Sequence, residues 1–200
     1  MMKKLIFTLL VPVFLFGCRE FESPVRPPLM GWNSWNAYMV DISDSIIMNA
    51  ADMMVAKGLK DAGYDHVNID DGYFGYRDSL GNMVPHPDRF PKGIKHVPEY
   101  IHSLGMKAGI YSDAGHNTCG SSYNKDKNGL GAGLWQHEVL DAERYFNEWG
   151  FDFIKIDWCG GRKLGLDTEQ RYLEIREIID SVAHKHIDIN VCRWRYPGTW

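Results

Sequence analysis

The sequence predicts an α/β protein built from βα units in series, and three observations carry that reading. Short β-type runs alternate with longer stretches of helical period, which is the pattern of a parallel sheet with helices packed on it. Gly63, Gly105 and Gly150 each sit between a helical stretch and the next β-type run, where a left-handed C-cap is wanted. Polar and charged residues gather at the C-terminal end of every strand, where βα proteins build their sites.

Five strands are expected, at 29–35, 66–71, 107–113, 153–158 and 188–194. A helix near 45–62 places Ile46, Ala50, Met53, Met54 and Leu59 on one stripe, and a shorter one is expected near 97–104. Two more are expected near 135–149 and 169–185, the last with Tyr172, Ile175, Ile179 and Val182 at helical spacing. Gly81-Asn82 in "RDSLGN" reads as a hairpin turn. No repeat, low-complexity tract or composition break marks a second domain in residues 29–200.

The ends of the strands decide between the two architectures that βα units allow, an open doubly wound sheet and a (β/α)8 TIM barrel. A Gly-x-Gly-x-x-Gly turn would favour the first, but Trp32-Asn33-Ser34-Trp35 stands after the first strand. In a barrel the strand-end residues share one rim: Asn33 and Trp35, Asp70 and Asp71, Tyr111 and Asp113, Lys155 and Asp157, Arg193 and Trp194. A closed barrel needs eight strands and roughly 250 residues. The expectation is a barrel truncated after about five βα units, a fragment of a catalytic domain.

"FDFIKIDWCGG" (151–161) concentrates the chemistry. Side chains two apart on a strand share a face, so Phe151, Phe153, Lys155 and Asp157 point one way and Ile154, Ile156 and Trp158 the other. Lys155 and Asp157 then lie ~7 Å apart at their backbones, close enough for the ammonium to favour ionised Asp157. A carboxylate kept charged in a concave site is a candidate nucleophile.

Composition narrows the class. With 44% hydrophobic and 24% charged residues the chain can bury a core, and its net charge of −4, with no basic run interleaved with aromatics, excludes a nucleic-acid partner. Lys3 and Lys4 precede an apolar run from Leu5 to Phe16, too short to span a bilayer and suited to a secretory leader. Leu15-Phe16-Gly17-Cys18 resembles a bacterial lipobox, which implies lipidation at Cys18 and a membrane association through that anchor alone. Residues 1–18 are thus expected to be a leader and 19–28, with Pro24, Pro27 and Pro28, a tether. The protein is expected to be exported, to the periplasm, the cell surface or beyond. Outside the reducing cytosol Cys119, Cys159 and Cys192 are free to pair, with one left over. A metal site of Cys119, Cys159 and His116 lacks the close ligand pairs of thiolate zinc sites, and neither metal nor cofactor is expected.

Four stretches resemble the melibiase-type α-galactosidases and α-N-acetylgalactosaminidases of glycoside hydrolase family 27: "PPLMGWNSWNAY" (27–38), "KDAGYDHVNIDDGYFGYRDSLGNMVPHPDRFPKGI" (60–94), "GMKAGIYSDAGHNTCG" (105–120) and "FDFIKIDWCGG" (151–161). They stand in family order. The resemblance implies a (β/α)8 catalytic domain that cleaves terminal α-linked galactose from oligo- or polysaccharides with retention of configuration. Asp157 looks like the nucleophile that forms the covalent glycosyl-enzyme. Lys155, Asp70 and Asp71 look like sugar-hydroxyl ligands, and Trp35 and Tyr111 like pocket lining. Cys119 and Cys159 match a family disulfide, leaving Cys192 as the odd cysteine. Arg193 stands where better-known members carry an acidic residue that senses the substituent at the second sugar carbon. A retaining enzyme needs a second carboxyl about 5–5.5 Å from the nucleophile. By the resemblance this aspartate lies beyond the fifth strand, so these 200 residues alone are expected to lack normal turnover. An α-N-acetylgalactosaminidase, another retaining α-glycosidase and a non-catalytic sugar-binding remnant remain alternative readings.

Overall fold

The computed structural model describes residues 28–194. The expected leader, Cys18 and nearly all of the tether lie outside the described residues.

Five strands form one parallel sheet: β1 (Gly31–Asn33), β2 (His66–Asn68), β5 (Lys107–Asp113), β6 (Phe153–Asp157) and β7 (Asp188–Val191). The sheet order is β1-β2-β5-β6-β7, so each strand pairs with the sheet strand before it in the chain. A doubly wound sheet would reverse direction at a switch point, and among the described residues there is no reversal. All five expected strands are present, β5 at its full expected length and the other four shorter than their β-type runs. Between β2 and β5 a hairpin of β3 (Phe74–Arg77) and β4 (Met83–Pro85) stands apart from the sheet. The sequence shows its turn at Gly81-Asn82 but not its strands.

The helices are α1 (Trp35–Tyr38), α2 (Asp44–Ala56), α3 (His96–Ser103), α4 (Cys119–Tyr123), α5 (Glu138–Ala142), α6 (Cys159–Leu164) and α7 (Thr168–Val182). Ser43 caps α2 by accepting the Ile46 N–H at 3.3 Å, and Asp167 caps α7 by accepting that of Gln170 at 2.9 Å. The helix expected at 135–149 is a single α turn that passes into π geometry over Glu143–Glu148, and α2 stops short of the expected 62. The expected C-cap glycines Gly63, Gly105 and Gly150 all have positive φ.

The stripe read on α2 needs correcting by one residue. Ile47, Ala51 and Met54 are the buried set, while Met53 is exposed and Ile46 and Ala50 border an open hollow with Trp32, Tyr38 and Leu59. Both faces of α2 are apolar, so periodicity alone does not say which one the sheet covers. On β6 the alternation holds as far as the strand runs: Ile154 and Ile156 are fully buried in the core, and Lys155 and Asp157 face a cavity. Trp158, expected with the isoleucines, borders that cavity too because the strand ends at Asp157.

Candidate active site

The cavity opens at the C-terminal ends of β6 and β7 and has a volume of about 500 Å³. Among its walls are four of the residues the sequence singles out, Trp35, Lys155, Asp157 and Arg193, with the Cys119–Cys159 bridge beside them. Asp70, Asp71 and Tyr111 lie behind this lining and are almost wholly enclosed, at 1%, 0% and 0% exposure.

Lys155 extends from β6 across β5 toward the loop after β2, and its Nζ donates to Asp70 Oδ2 at 2.7 Å. The same ammonium lies 5.3 Å from the centre of the Tyr111 ring and 6.0 Å from that of Trp35. Burial works against its charge, but Asp70 outweighs burial and the Lys155 pKa ends above that of an ordinary lysine. Lys155 favours the ionised form of Asp157, as expected from the sequence, but it is not the largest influence on that carboxylate. Burial comes first for Asp157 and raises its pKa, while the Trp158 N–H at 2.9 Å and the Lys155 charge pull it back without prevailing. Asp157 also receives a long hydrogen bond from the Tyr111 hydroxyl at 3.4 Å and shares the cavity wall with the Cys192 thiol, itself pushed up to about 11 by burial and then by Asp157. A carboxylate so placed gains nucleophilic strength, because an anion less stabilised by its surroundings is more reactive.

Asp71 receives the Gly120 N–H at 2.7 Å and the Gly72 N–H at 2.8 Å, one on each oxygen. It thereby ties the loop after β2 to the start of α4. A Cβ on Gly120 would stand 2.8 Å from Asp71 Oδ2, so glycine is what lets the backbone come this close. Burial pushes Asp71 up to about 7, with the two N–H bonds opposing it.

Sequence reasoning placed Asp113 on the rim but gave it no role, and the structure gives it one. Asp113 is paired in register with Asp157 on the adjoining strand, and its carboxylate collects the N–H groups of Cys159 at 2.7 Å, Gly160 at 3.0 Å, Gly161 at 3.3 Å and, from its own loop, Gly115 at 2.7 Å. The three residues that follow Trp158 are thus held by one carboxylate, which fixes the turn leaving Asp157. Burial pushes Asp113 up to about 6 despite these bonds. The signal was available in the sequence: an aspartate ending one strand opposite a Cys-Gly-Gly turn ending the next supplies an acceptor for a run of unhindered N–H groups.

Cys119 and Cys159 form the disulfide that the resemblance implies, at a Cα separation of 5.2 Å, with Cys192 free. Among the described residues, the one cluster with metal-like spacing is Asp113 with these two cysteines, but the sulfurs are bonded to each other and offer no thiolate.

The family model described as alpha galactosidase A, of the melibiase type, matches residues 27–197. The chain belongs to this family. Its match is to the N-terminal part of the melibiase fold of glycoside hydrolase family 27. Alpha-galactosidase 3 of Arabidopsis thaliana is 42% identical over 178 residues, covering 88% of this chain and 38% of its own. Among solved structures, alpha-galactosidase I of Mortierella vinacea superposes with a TM-score of 0.70 at 35% identity, over 84% of this chain and 40% of that one. The Saccharomyces cerevisiae alpha-galactosidase solved with raffinose gives 0.72 at 28% identity, over 84% and 35%. The chain spans less than half the length of each of these melibiase relatives.

Proposed function

We propose that the protein is a retaining α-galactosidase with Asp157 as its nucleophile. The observation that carries this reading is that Asp157 is the one carboxylate among the described residues lining the cavity, on the β6 end of a chain in the melibiase family. In the first step an Asp157 oxygen attacks the anomeric carbon, the glycosidic C–O bond breaks, and the leaving oxygen takes a proton from a second carboxyl. In the second step water, deprotonated by that same carboxyl, attacks the anomeric carbon and releases Asp157. Asp113 is a poor second carboxyl, since its oxygens already hold four backbone N–H groups. The acid/base group is assigned to a part of the whole protein outside these residues. Lys155 and Trp35 would meet the sugar directly. Asp70, Asp71 and Tyr111 support them from behind the lining.

The reading extends to architecture. We take the five βα units as the first five of a (β/α)8 barrel. Support comes from the unreversed strand order and from an apolar surface at each end of the sheet. Beside β1 lie Trp32, Ala50 and Met53, and beside β7 lie Tyr172, Leu173 and Ile189. Export, with a lipid anchor at Cys18, is proposed on the leader-like start, and the disulfide supports an oxidising destination.

The test is trapping. The whole protein, incubated with a 2-deoxy-2-fluoro-α-galactosyl fluoride or its C5-fluoro counterpart, should carry one glycosyl adduct on the peptide containing Asp157, and it should hydrolyse an aryl α-galactoside. Hydrolysis with inversion of configuration, or an adduct elsewhere, would overturn the assignment.

A further inference from the structure

Asp157 ends β6, and its backbone is held from the helix layer as well as from the cavity. Its main-chain carbonyl accepts the Ala114 N–H at 2.9 Å, which bonds the loop leaving β5 to the end of β6. The carbonyl of that same Ala114 accepts the Nε–H of Arg171, on α7, at 2.9 Å. Arg171 is only 4% exposed, and arginine is almost never enclosed unless it is paired. Here a terminal nitrogen donates to Glu138 of α5, and the guanidinium lies 5.0 Å from the centre of the Trp135 ring. Trp135 in turn gives its own N–H to the Gly115 carbonyl at 3.1 Å, so guanidinium, indole and the loop after β5 make one packed piece. The next residue of α7 acts on the strand itself: the Tyr172 hydroxyl donates to the Ile156 carbonyl at 3.1 Å.

An ion pair between α5 and α7 would need Glu138 alone. Arg171 instead spends its Nε on a main-chain carbonyl that is next to Asp113 in sequence and one hydrogen bond from Asp157 in space. The guanidinium is a rigid fork, so anchoring its far end on Glu138 fixes where Nε must point. On the reading of Asp157 as the nucleophile, we infer that Arg171 is a positioning residue for it, acting through Ala114 without touching the sugar. It sets the loop after β5 against the end of β6. From that loop Asp113 holds the turn that leaves Asp157. Lysine cannot do both tasks. Its ammonium has no fork and takes the Glu138 carboxylate in preference to a neutral carbonyl, so Arg171→Lys keeps the ion pair and releases Ala114.

The test uses the whole protein, with each variant assayed well below its own unfolding midpoint, where a role in stability alone leaves kcat untouched. In Arg171→Lys, kcat on an aryl α-galactoside should fall roughly tenfold with KM nearly unchanged. The rate at which a 2-deoxy-2-fluoro-α-galactosyl fluoride labels Asp157 should fall with it. Glu174→Gln, which removes only the outer ion pair of Arg171 at 3.6 Å, should keep wild-type kcat. Arg171→Lys combined with Asp113→Asn should lose less than the product of the two single losses, because both release the same turn. If Arg171→Lys does not fold, Trp135→Leu takes its place: it frees the guanidinium from its ring and should show the same kcat-specific loss, about threefold. Wild-type kcat in the folded variant, or a loss confined to KM, overturns this inference and leaves the α-galactosidase reading standing. No hydrolysis of the aryl α-galactoside by the unaltered protein overturns both.

Discussion

Lys155 Nζ sits 2.7 Å from Asp70 Oδ2, and this bond joins the end of β6 to the loop after β2 across the intervening strand β5. Lys155 is therefore both a wall of the cavity and the counter-ion of an acid that is only 1% exposed. Two consequences follow from removing its charge.

Lys155→Met leaves Asp70 buried without its partner. Breaking one side of such a pair costs about 3–5 kcal/mol, so denaturant unfolding of the variant should show a loss of that order. Asp70→Asn in the Lys155→Met background should recover part of it.

The same substitution removes a charge that lowers the Asp157 pKa. Loss of a neighbouring cation favours the neutral acid, so the acidic limb of the kcat/KM profile of the whole enzyme should move to higher pH. A profile that stays in place would show that Asp157 does not set that limb.

Asp113 offers a different test, because it bears on the site through the turn after Asp157. In Asp113→Asn one oxygen becomes an NH₂ group facing N–H donors. The turn should loosen, and since displacements near 1 Å can cost ~10²-fold in rate, kcat should fall roughly ten- to a hundredfold with KM nearly unchanged. An effect on KM alone would mean that Asp113 shapes binding and not the position of Asp157.

Asp71 gives a pH dependence with a definite sign. Its folded pKa, pushed up to about 7, lies above the unfolded value of 3.8, so the folded state holds a proton that the unfolded state has released. The stabilisation is full below about pH 4 and is lost as pH rises through 7, at up to about 1.4 kcal/mol per pH unit for one group. Unfolding free energies measured from pH 4 to 8 should fall with pH in the wild type more steeply than in Asp71→Asn.

The Cys119–Cys159 bridge joins positions 40 residues apart. Cys119→Ala with Cys159→Ala should cost about 2–4 kcal/mol, read as a lower denaturant midpoint, and reducing agent should have no further effect on that variant.

Much of this was legible in the chain itself. The strands showed because polar and charged residues gather near the C-terminal end of each β-type run, and the glycines before them because only a left-handed cap suits the place. Asp157 and Lys155 showed because two charges with a period of 2 inside "FDFIKID" must share a face. Three features were hidden for distinct reasons. The buried face of α2 was ambiguous because Ile46 and Ile47, Ala50 and Ala51, Met53 and Met54 are adjacent apolar pairs. The partner of Lys155 lies 85 positions away in sequence, and no local pattern chooses Asp70 over Asp157. The work of Asp113 is done on backbone N–H groups, whose one trace in the sequence is the Cys-Gly-Gly turn opposite it.

The unreversed order of the sheet also sets how it can be made. Synthesis delivers β1 first, and every later strand finds its neighbour already laid down, so each βα unit docks on the one before without waiting for distant sequence or undoing earlier pairings. On that schedule β6, which carries Asp157, is seated against β5 before β7 is available, and the rim of strand ends grows in the direction of translation.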